Sequence, residues 1–293
     1  GLLLDNFLKY IRYNIYSIQY KVFSTRTITT IVLMLLCNIV FSVPILNFAS
    51  DTGYKVNVMT LPFFLCNLSY MCAFVPIAIY YFSQVPFLNY SEMYCVIREG
   101  KTKWALKHIL HIVFMSYIFM FLLEVTSIIP YIFRGDFSNE WGEVITTLSI
   151  TNRWMDYGTS EILYTILEHY SPYKSMAIIF LFVGLVICFL GVFMFSMSLL
   201  FTRLIAMCSG MIFEVLMITA FNMRTIDNYL IYLSPFSWTD LRIFGRKYDG
   251  VEYFNGTPTM GWCVGILLLL IVVLTIISIV RVNHMNFDFT SEE

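Results

Sequence analysis

The chain has 293 residues, 59% of them hydrophobic and 13% charged, where soluble domains carry roughly a quarter charged. That balance excludes an ordinary soluble globule, and a net charge of −1 with no basic tail removes the electrostatic case for nucleic acid as a partner. The seven cysteines (Cys37, Cys66, Cys72, Cys95, Cys188, Cys208 and Cys263) are an odd number lying in or beside apolar runs. With no CxxC or Cys/His spacing they read as small reduced hydrophobes, so neither disulfides nor a metal site is expected.

Charge-free runs lie between Arg26 and Asp51, Lys55 and Glu92, Lys174 and Arg203, and Glu252 and Arg281. Each is longer than the ~20 residues that cross a bilayer. Two further runs, His108 to Phe133 and Leu204 to Met223, are interrupted only by Glu124 and Glu214. The expectation is an all-α integral membrane protein forming one transmembrane domain with six spans.

In chain order, residues 1–26 come first, and within them Leu4, Phe7, Leu8, Ile11, Ile15, Ile18 and Val22 form one helical stripe. Lys9, Arg12, Asn14, Gln19 and Lys21 fall mostly off it. This predicts an amphipathic helix in the membrane interface, or one packed on the protein. The apolar run that follows is too long for a signal peptide and lacks a small-x-small cleavage site, so it is expected to remain as a span. Span one covers about 27–48 and span two about 59–82, with Pro44, Pro62 and Pro76 predicting kinks.

The polar break at 83–104 reads SQVPFLNYSEMYCVIREGKTKW. Pro86 ends the preceding helix, Asn89 and Ser91 are candidate N-caps, and Asn89 with Glu92 has capping-box spacing. Tyr90, Met93, Tyr94 and Ile97 share one face at i, i+3, i+4, i+7, while Glu92, Arg98 and Glu99 point elsewhere. Gly100 reads as the stop, and Lys101, Lys103 and Lys107 flank Trp104 at the expected cytoplasmic lipid boundary. The stretch reads equally as a short surface helix offering an apolar knob to a soluble partner and as an ordinary basic loop.

Span three covers about 105–133, span four 175–201, span five 204–223 and span six 259–280, with a tail at 281–293. Lys9, Arg12, Lys21, Arg26, Arg98, Lys101, Lys103, Lys107, Arg203 and Arg281 fall on one side and crowd the span ends. The positive-inside rule therefore puts both termini in the cytoplasm. The segments 134–174 and 224–258 then face outward. The first is acidic (Asp136, Glu140, Glu143, Asp156, Glu161, Glu168) and aromatic (Trp141, Trp154, Tyr157, Tyr164, Tyr170, Tyr173), with a short helix suggested by Ile162, Leu163, Ile166 and Leu167. The second holds YLIYLSPFSWTDLRIFG, too apolar for a free loop and too broken by Pro235 to span. It predicts a re-entrant pair of short helices, with Pro235, Phe236 and Trp238 at its centre, shielded by protein.

With these residues laid out, the chain resembles the membrane subunit of an ABC-2 type transporter over nearly its whole length. YSEMYCVIREGKTKWALK looks like the coupling helix and the start of span three, and YLSPFSWTDL is similar to the proline-and-aromatic stretch before the last span. The 134–174 segment is longer than the brief outer connection of that family. The resemblance implies an ATP-driven exporter of amphipathic peptide, drug-like or lipid-linked cargo in the plasma membrane. Two copies of a separate ATP-binding subunit would touch Tyr90, Glu92, Met93, Tyr94, Ile97 and Arg98, and a second permease chain, identical or homologous, would complete the assembly among membrane lipid. No G-x-x-x-x-G-K-[ST] occurs, so no cofactor is expected on this chain, and ATP and Mg would be bound by the partner.

Glu124 and Glu214 are the ionisable residues that stand out within hydrocarbon. A charge at a helix centre costs about 2.5–3.5 kcal/mol on insertion scales, so each faces either a wet translocation path or a structural partner between helices. His108 and His111 share a face without an acid or thiol at ligand spacing, which favours an interfacial role. Ala206 with Gly210, and Gly184 with Gly191, predict close helix packing. Asn255-Gly256-Thr257 matches a glycosylation sequon and reads as chance. An intramembrane enzyme would need reactive groups clustered at one depth. A secondary transporter or channel tolerates two intramembrane acids but more often carries a repeat, and none is evident.

Overall fold

The computed structural model describes residues 24–84, 100–151, 153–159, 162, 164–222, 230–244 and 258–284. The N-terminal amphipathic stretch, the 85–99 break with its predicted helix, the sequon and the tail beyond residue 284 lie outside the described residues.

Helix α1 (Thr25–Thr52) opens on Ser24, whose side chain accepts from the Thr27 N–H at 3.3 Å, and closes on Gly53. Gly53 takes φ +78° and donates its N–H back to the Ala49 carbonyl. A two-residue strand β1 (Val56–Asn57) leads to a short helix α2 (Leu61–Phe64) and then α3 (Leu68–Phe82). The continuous second span expected over 59–82 is thus divided. The break comes at Cys66 and Asn67 rather than at either proline, because the Asn67 side chain accepts from the Tyr70 N–H at 3.2 Å and caps a new helix. Pro62 sits harmlessly in the first turn of α2, and α3 runs through Pro76. At 15 residues, α3 is about 22 Å long.

Helix α4 (Lys101–Ile128) begins at Lys101, with Gly100 at φ +88° as its cap residue; the helix that Gly100 was expected to stop lies outside the described residues. It tightens into a 3₁₀ turn (Ile129–Tyr131) before strand β2 (Gly135–Asp136), which pairs in parallel with β1. Three short helices follow: α5 (Gly142–Ile150), α6 (Trp154–Tyr157) and α7 (Tyr164–His169), the last matching the expected surface helix. Helix α8 (Pro172–Leu200) then turns directly into α9 (Arg203–Asn222). After α10 (Leu230–Leu233) and two 3₁₀ turns (Pro235–Thr239 and Leu241–Phe244), α11 (Met260–His284) ends the described chain.

Among the described residues α1, α4, α8, α9 and α11 are long and apolar enough to cross a membrane, and α3 is a shorter apolar helix. This is an all-α, multi-pass membrane protein. Helix α8 is the most enclosed, packing on α4, α9 and α11, whereas α9 and α11 turn most of their apolar surface outward. The predicted close packing is present. A methyl group on Gly191 would lie 2.5 Å from Ile112 Cγ2 of α4 and 3.0 Å from the Phe82 ring of α3, and one on Gly184 would lie 2.7 Å from the Tyr117 ring. Gly210 brings α9 against Ile79 of α3.

The helices alternate in direction, as their end contacts show. At one end the Arg26 guanidinium donates to Ser83 and lies over the Tyr80 ring at 5.4 Å, joining the start of α1 to the end of α3. Lys101 and Thr102 reach Asn283 at 3.4 and 3.1 Å, and Arg281 Nε donates to the Leu199 carbonyl at 3.2 Å. Basic residues therefore gather at this end. At the other end, α5 to α7 and the β1–β2 pair form a cap. Asn57 Nδ2 donates to the Ser138 and Glu140 carbonyls at 2.9 and 2.7 Å, and Trp141 donates to the Tyr170 carbonyl at 2.8 Å while packing on Phe63.

Near the basic end, the Trp104 side chain turns into the protein instead of outward. It is buried, 4.3 Å from the His108 ring and 6.2 Å from Phe195 between α4 and α8. His108 and His111 are likewise buried. The start of α4 at Lys101 carries this whole turn into the bundle.

Candidate functional site

The described part of the predicted re-entrant segment, 230–244, is the most unusual stretch of the fold. Its short helical turns are nearly all buried against α3, α8, α9 and α11, and Phe236 and Trp238 have almost no exposed surface. Pro235 starts a 3₁₀ turn, where its missing N–H costs nothing. Trp238 Nε1 donates to the Ile231 carbonyl at 2.6 Å, and its ring lies 5.8 Å from Trp262, which Tyr232 meets from another side at 5.2 Å. The Thr239 hydroxyl lies 2.8 Å from the Phe236 carbonyl and 3.6 Å from Met71 Sδ of α3.

A buried ion pair locks this segment to the break between α2 and α3. Arg242 lies 2.6 Å from Asp240, its Nε donating to both carboxylate oxygens at 2.8 Å. A second guanidinium nitrogen donates to the Cys66 carbonyl at 2.8 Å, and the cation sits 5.7 Å from the Phe221 ring of α9. Cys66 immediately precedes the Asn67 cap, so Arg242 holds the carbonyl that the interrupted helix places at the break. Sequence reasoning missed this pair. Its only signal was Asp240 and Arg242 two residues apart inside an otherwise apolar stretch.

Glu124 and Glu214 are not brought together. Glu124 lies towards the cap end of α4, where its Oε1 is buried with no hydrogen-bond partner among the described residues. Glu214 is midway along α9, half-buried near Cys72 of α3, with exposed Met211, Ile212 and Val215 around it. Helices α4 and α9 pack principally on α8 rather than on each other. The predicted Tyr90, Met93, Tyr94 and Ile97 face, with Glu92 and Arg98, lies outside the described residues.

Several aromatics of the 134–174 segment make structural bonds within the protein. Trp141 and Tyr170 hold the cap together, and Tyr157 donates to the Asp51 carboxylate at 2.7 Å, tying α6 to the end of α1. That bond to a carboxylate keeps the Tyr157 phenol above its ordinary pKa. Tyr164 and Tyr173 keep more of their surface exposed. Among the described residues no cluster of three or more His, Cys, Asp or Glu could hold a metal ion.

Beneath the cap runs a polar seam between α1, α3 and α4. Asn38, fully buried, donates to Thr126 at 3.0 Å and accepts from the Tyr70 hydroxyl at 2.8 Å, so one side chain joins three helices. A buried network satisfied in this way fixes the relative rotation of the helices it joins. Compared with protein-family models, with curated protein sequences and with solved structures, the chain matches none.

Proposed function

We propose that this chain is the permease subunit of an ABC-2 type exporter, with ATP hydrolysed on a separate subunit that binds beneath it. The observation carrying this reading is where the ends of the 85–99 stretch are tethered. Ser83 is held by Arg26, and Lys101 and Thr102 meet Asn283, both at the end of the bundle where the basic residues gather. A stretch anchored at both sides to the basic end is positioned to be pushed as a unit, and α3 and α4 would carry its movement into the bundle.

On this reading the spans number six, α3 together with α2 making the second, with both chain ends at the cytoplasmic face of the plasma membrane. The segment 230–244 is re-entrant from the outer side, where the buried Arg242–Asp240 pair satisfies backbone that lipid could not. A second permease chain covers α9, whose half-buried Glu214 would otherwise meet hydrocarbon, and Glu214 and Glu124 line or adjoin the path of an amphipathic cargo. The separation of the two acids leaves the enzyme reading without a reactive cluster among the described residues. Two acids alone are compatible with a secondary transporter, but that reading gives the tethered 85–99 stretch no task.

The experiment is co-purification from native membranes. The intact chain is expected to bring down an ATPase, and Met93→Asp or Ile97→Asp to lose most of it, since burying a carboxylate at a packed anchor costs on the order of 2–4 kcal/mol. In the assembled complex, Glu214→Gln should alter cargo export while leaving ATPase capture intact. Purification of a transport-competent chain with no ATPase, or variants that retain it fully, would refute the assignment.

A further inference from the structure

Two dipeptides of the same kind, an aromatic residue followed by a base, close two of the spanning helices. Tyr54-Lys55 follows α1 and its Gly53 cap, and Phe133-Arg134 follows the 3₁₀ turn that ends α4. The fold sets them side by side. The Val56 N–H donates to the Arg134 carbonyl at 3.3 Å, and the parallel pairing of Val56 with Gly135 continues from there, so each strand of the pair is immediately preceded by one of the two bases. All four residues stay in the open: Phe133 is 97% exposed and Tyr54 58%, whereas the neighbouring Val56 and Val58 are fully buried. Lys55 and Arg134 are exposed as well, and neither forms an ion pair with Asp136 or any other acid among the described residues. Asp51, the acid nearest to Lys55 in the sequence, is engaged by the Tyr157 hydroxyl.

Exposed apolar residues lead up to this pair from the middle of the bundle. Phe121, Val125, Ile129 and Ile132 recur at intervals of four and three along α4 and its 3₁₀ end, and Leu36, Val40 and Val43 do the same on α1. On a helix that crosses a membrane such a stripe faces acyl chains. A ring followed by a base where the stripe runs out belongs at the headgroups. A phenylalanine as bare as Phe133 is unfavourable in water, and two uncompensated bases are unfavourable deeper in lipid, so the headgroup layer is the one place that suits both. A zwitterionic headgroup brings its own ammonium beside the phosphate, which the two bases repel. The charge therefore favours a phospholipid with a net negative headgroup.

We propose that Lys55 and Arg134 together bind the phosphate of an anionic phospholipid in the leaflet on the cap side, with Tyr54 and Phe133 seated among the uppermost acyl carbons. The strand pair is what makes the site, because it joins a base from the end of α1 to a base from the end of α4. The site is the same whichever face of the membrane the cap occupies, so it stands independently of the transport reading.

Fluorescence quenching of the full chain in nanodiscs tests this. With the native cysteines replaced, Ile132→Cys carries a bimane, and the quencher is phosphatidylglycerol or phosphatidylcholine bearing a nitroxide on its acyl chain. Val40→Cys, lipid-facing but midway along α1, is the control away from the bases. Phosphatidylglycerol should quench the bimane at residue 132 with an apparent affinity on the order of fivefold above that of phosphatidylcholine, the effect of one net headgroup charge beside a base. At residue 40 the two lipids should quench alike. In the double variant Lys55→Gln, Arg134→Gln the preference at residue 132 should vanish, while quenching by phosphatidylcholine persists because the helix end still meets lipid. Equal quenching by the two lipids at residue 132 with both bases present would overturn the proposal, as would a preference that survives their removal.

Discussion

Replacing Arg242 with alanine is expected to destabilise the protein by about 3–5 kcal/mol, the cost of leaving one half of a buried ion pair alone. Two groups are abandoned at once: the Asp240 side chain, 7% exposed, and the Cys66 carbonyl at the helix break. Removing both charges, in Asp240→Asn, Arg242→Met, should restore part of the loss, because the remaining groups are neutral and fit similar volumes. Thermal unfolding in nanodiscs followed by tryptophan fluorescence reads this directly, since Trp238 lies in the segment and packs on Trp262 of α11. Equal stability of the single variant and the parent would show that the pair does not hold the segment to α3.

Gly135→Ala is expected to detach the cap. A methyl group there would lie 2.3 Å from Val58 Cγ1 and 2.5 Å from the Tyr131 carbonyl oxygen. The second contact is backbone, so no rotamer change relieves it, and overpacking of this kind costs about 1–3 kcal/mol. The penalty falls on the Val56–Gly135 pairing that brings β1 and β2 together. Limited proteolysis should therefore cut within 134–170 faster than in the parent, while the long helices stay intact. Unchanged cleavage would mean that the cap is held by Trp141 and Asn57 without help from the strand pair.

The long helices were legible because hydrocarbon imposes one simple rule, an apolar run of sufficient length, and the runs ending at Asp51, Arg203 and Arg281 obey it. The small-residue faces of α8 and α9 were legible for a similar reason, since Gly184, Gly191 and Gly210 leave room that a neighbour fills. The break at Asn67 was not. Prolines mark backbone limits locally, but the cap at Asn67 is supported by Arg242, which lies far along the chain, and no local pattern carries such a partner. The burial of Trp104 was missed for a related reason. A tryptophan beside lysines matches the interfacial pattern, and only the start of α4 at Lys101 and the proximity of Phe195 turn it inward. Of the candidate site, the importance of 230–244 was visible in its composition, whereas the separation of Glu124 and Glu214 depended on the central place of α8.

The proposed function is directional: it requires the stretch between α3 and α4 to meet a motor on the cytoplasmic side and the cap to stand on the other. Cysteine accessibility in a chain whose native cysteines are replaced tests it most directly, with one new cysteine at Phe137→Cys in the cap and another, separately, at Met93→Cys. A membrane-impermeant maleimide should label Phe137→Cys on intact cells and Met93→Cys only after permeabilisation. Labelling of Met93→Cys on intact cells would contradict the account.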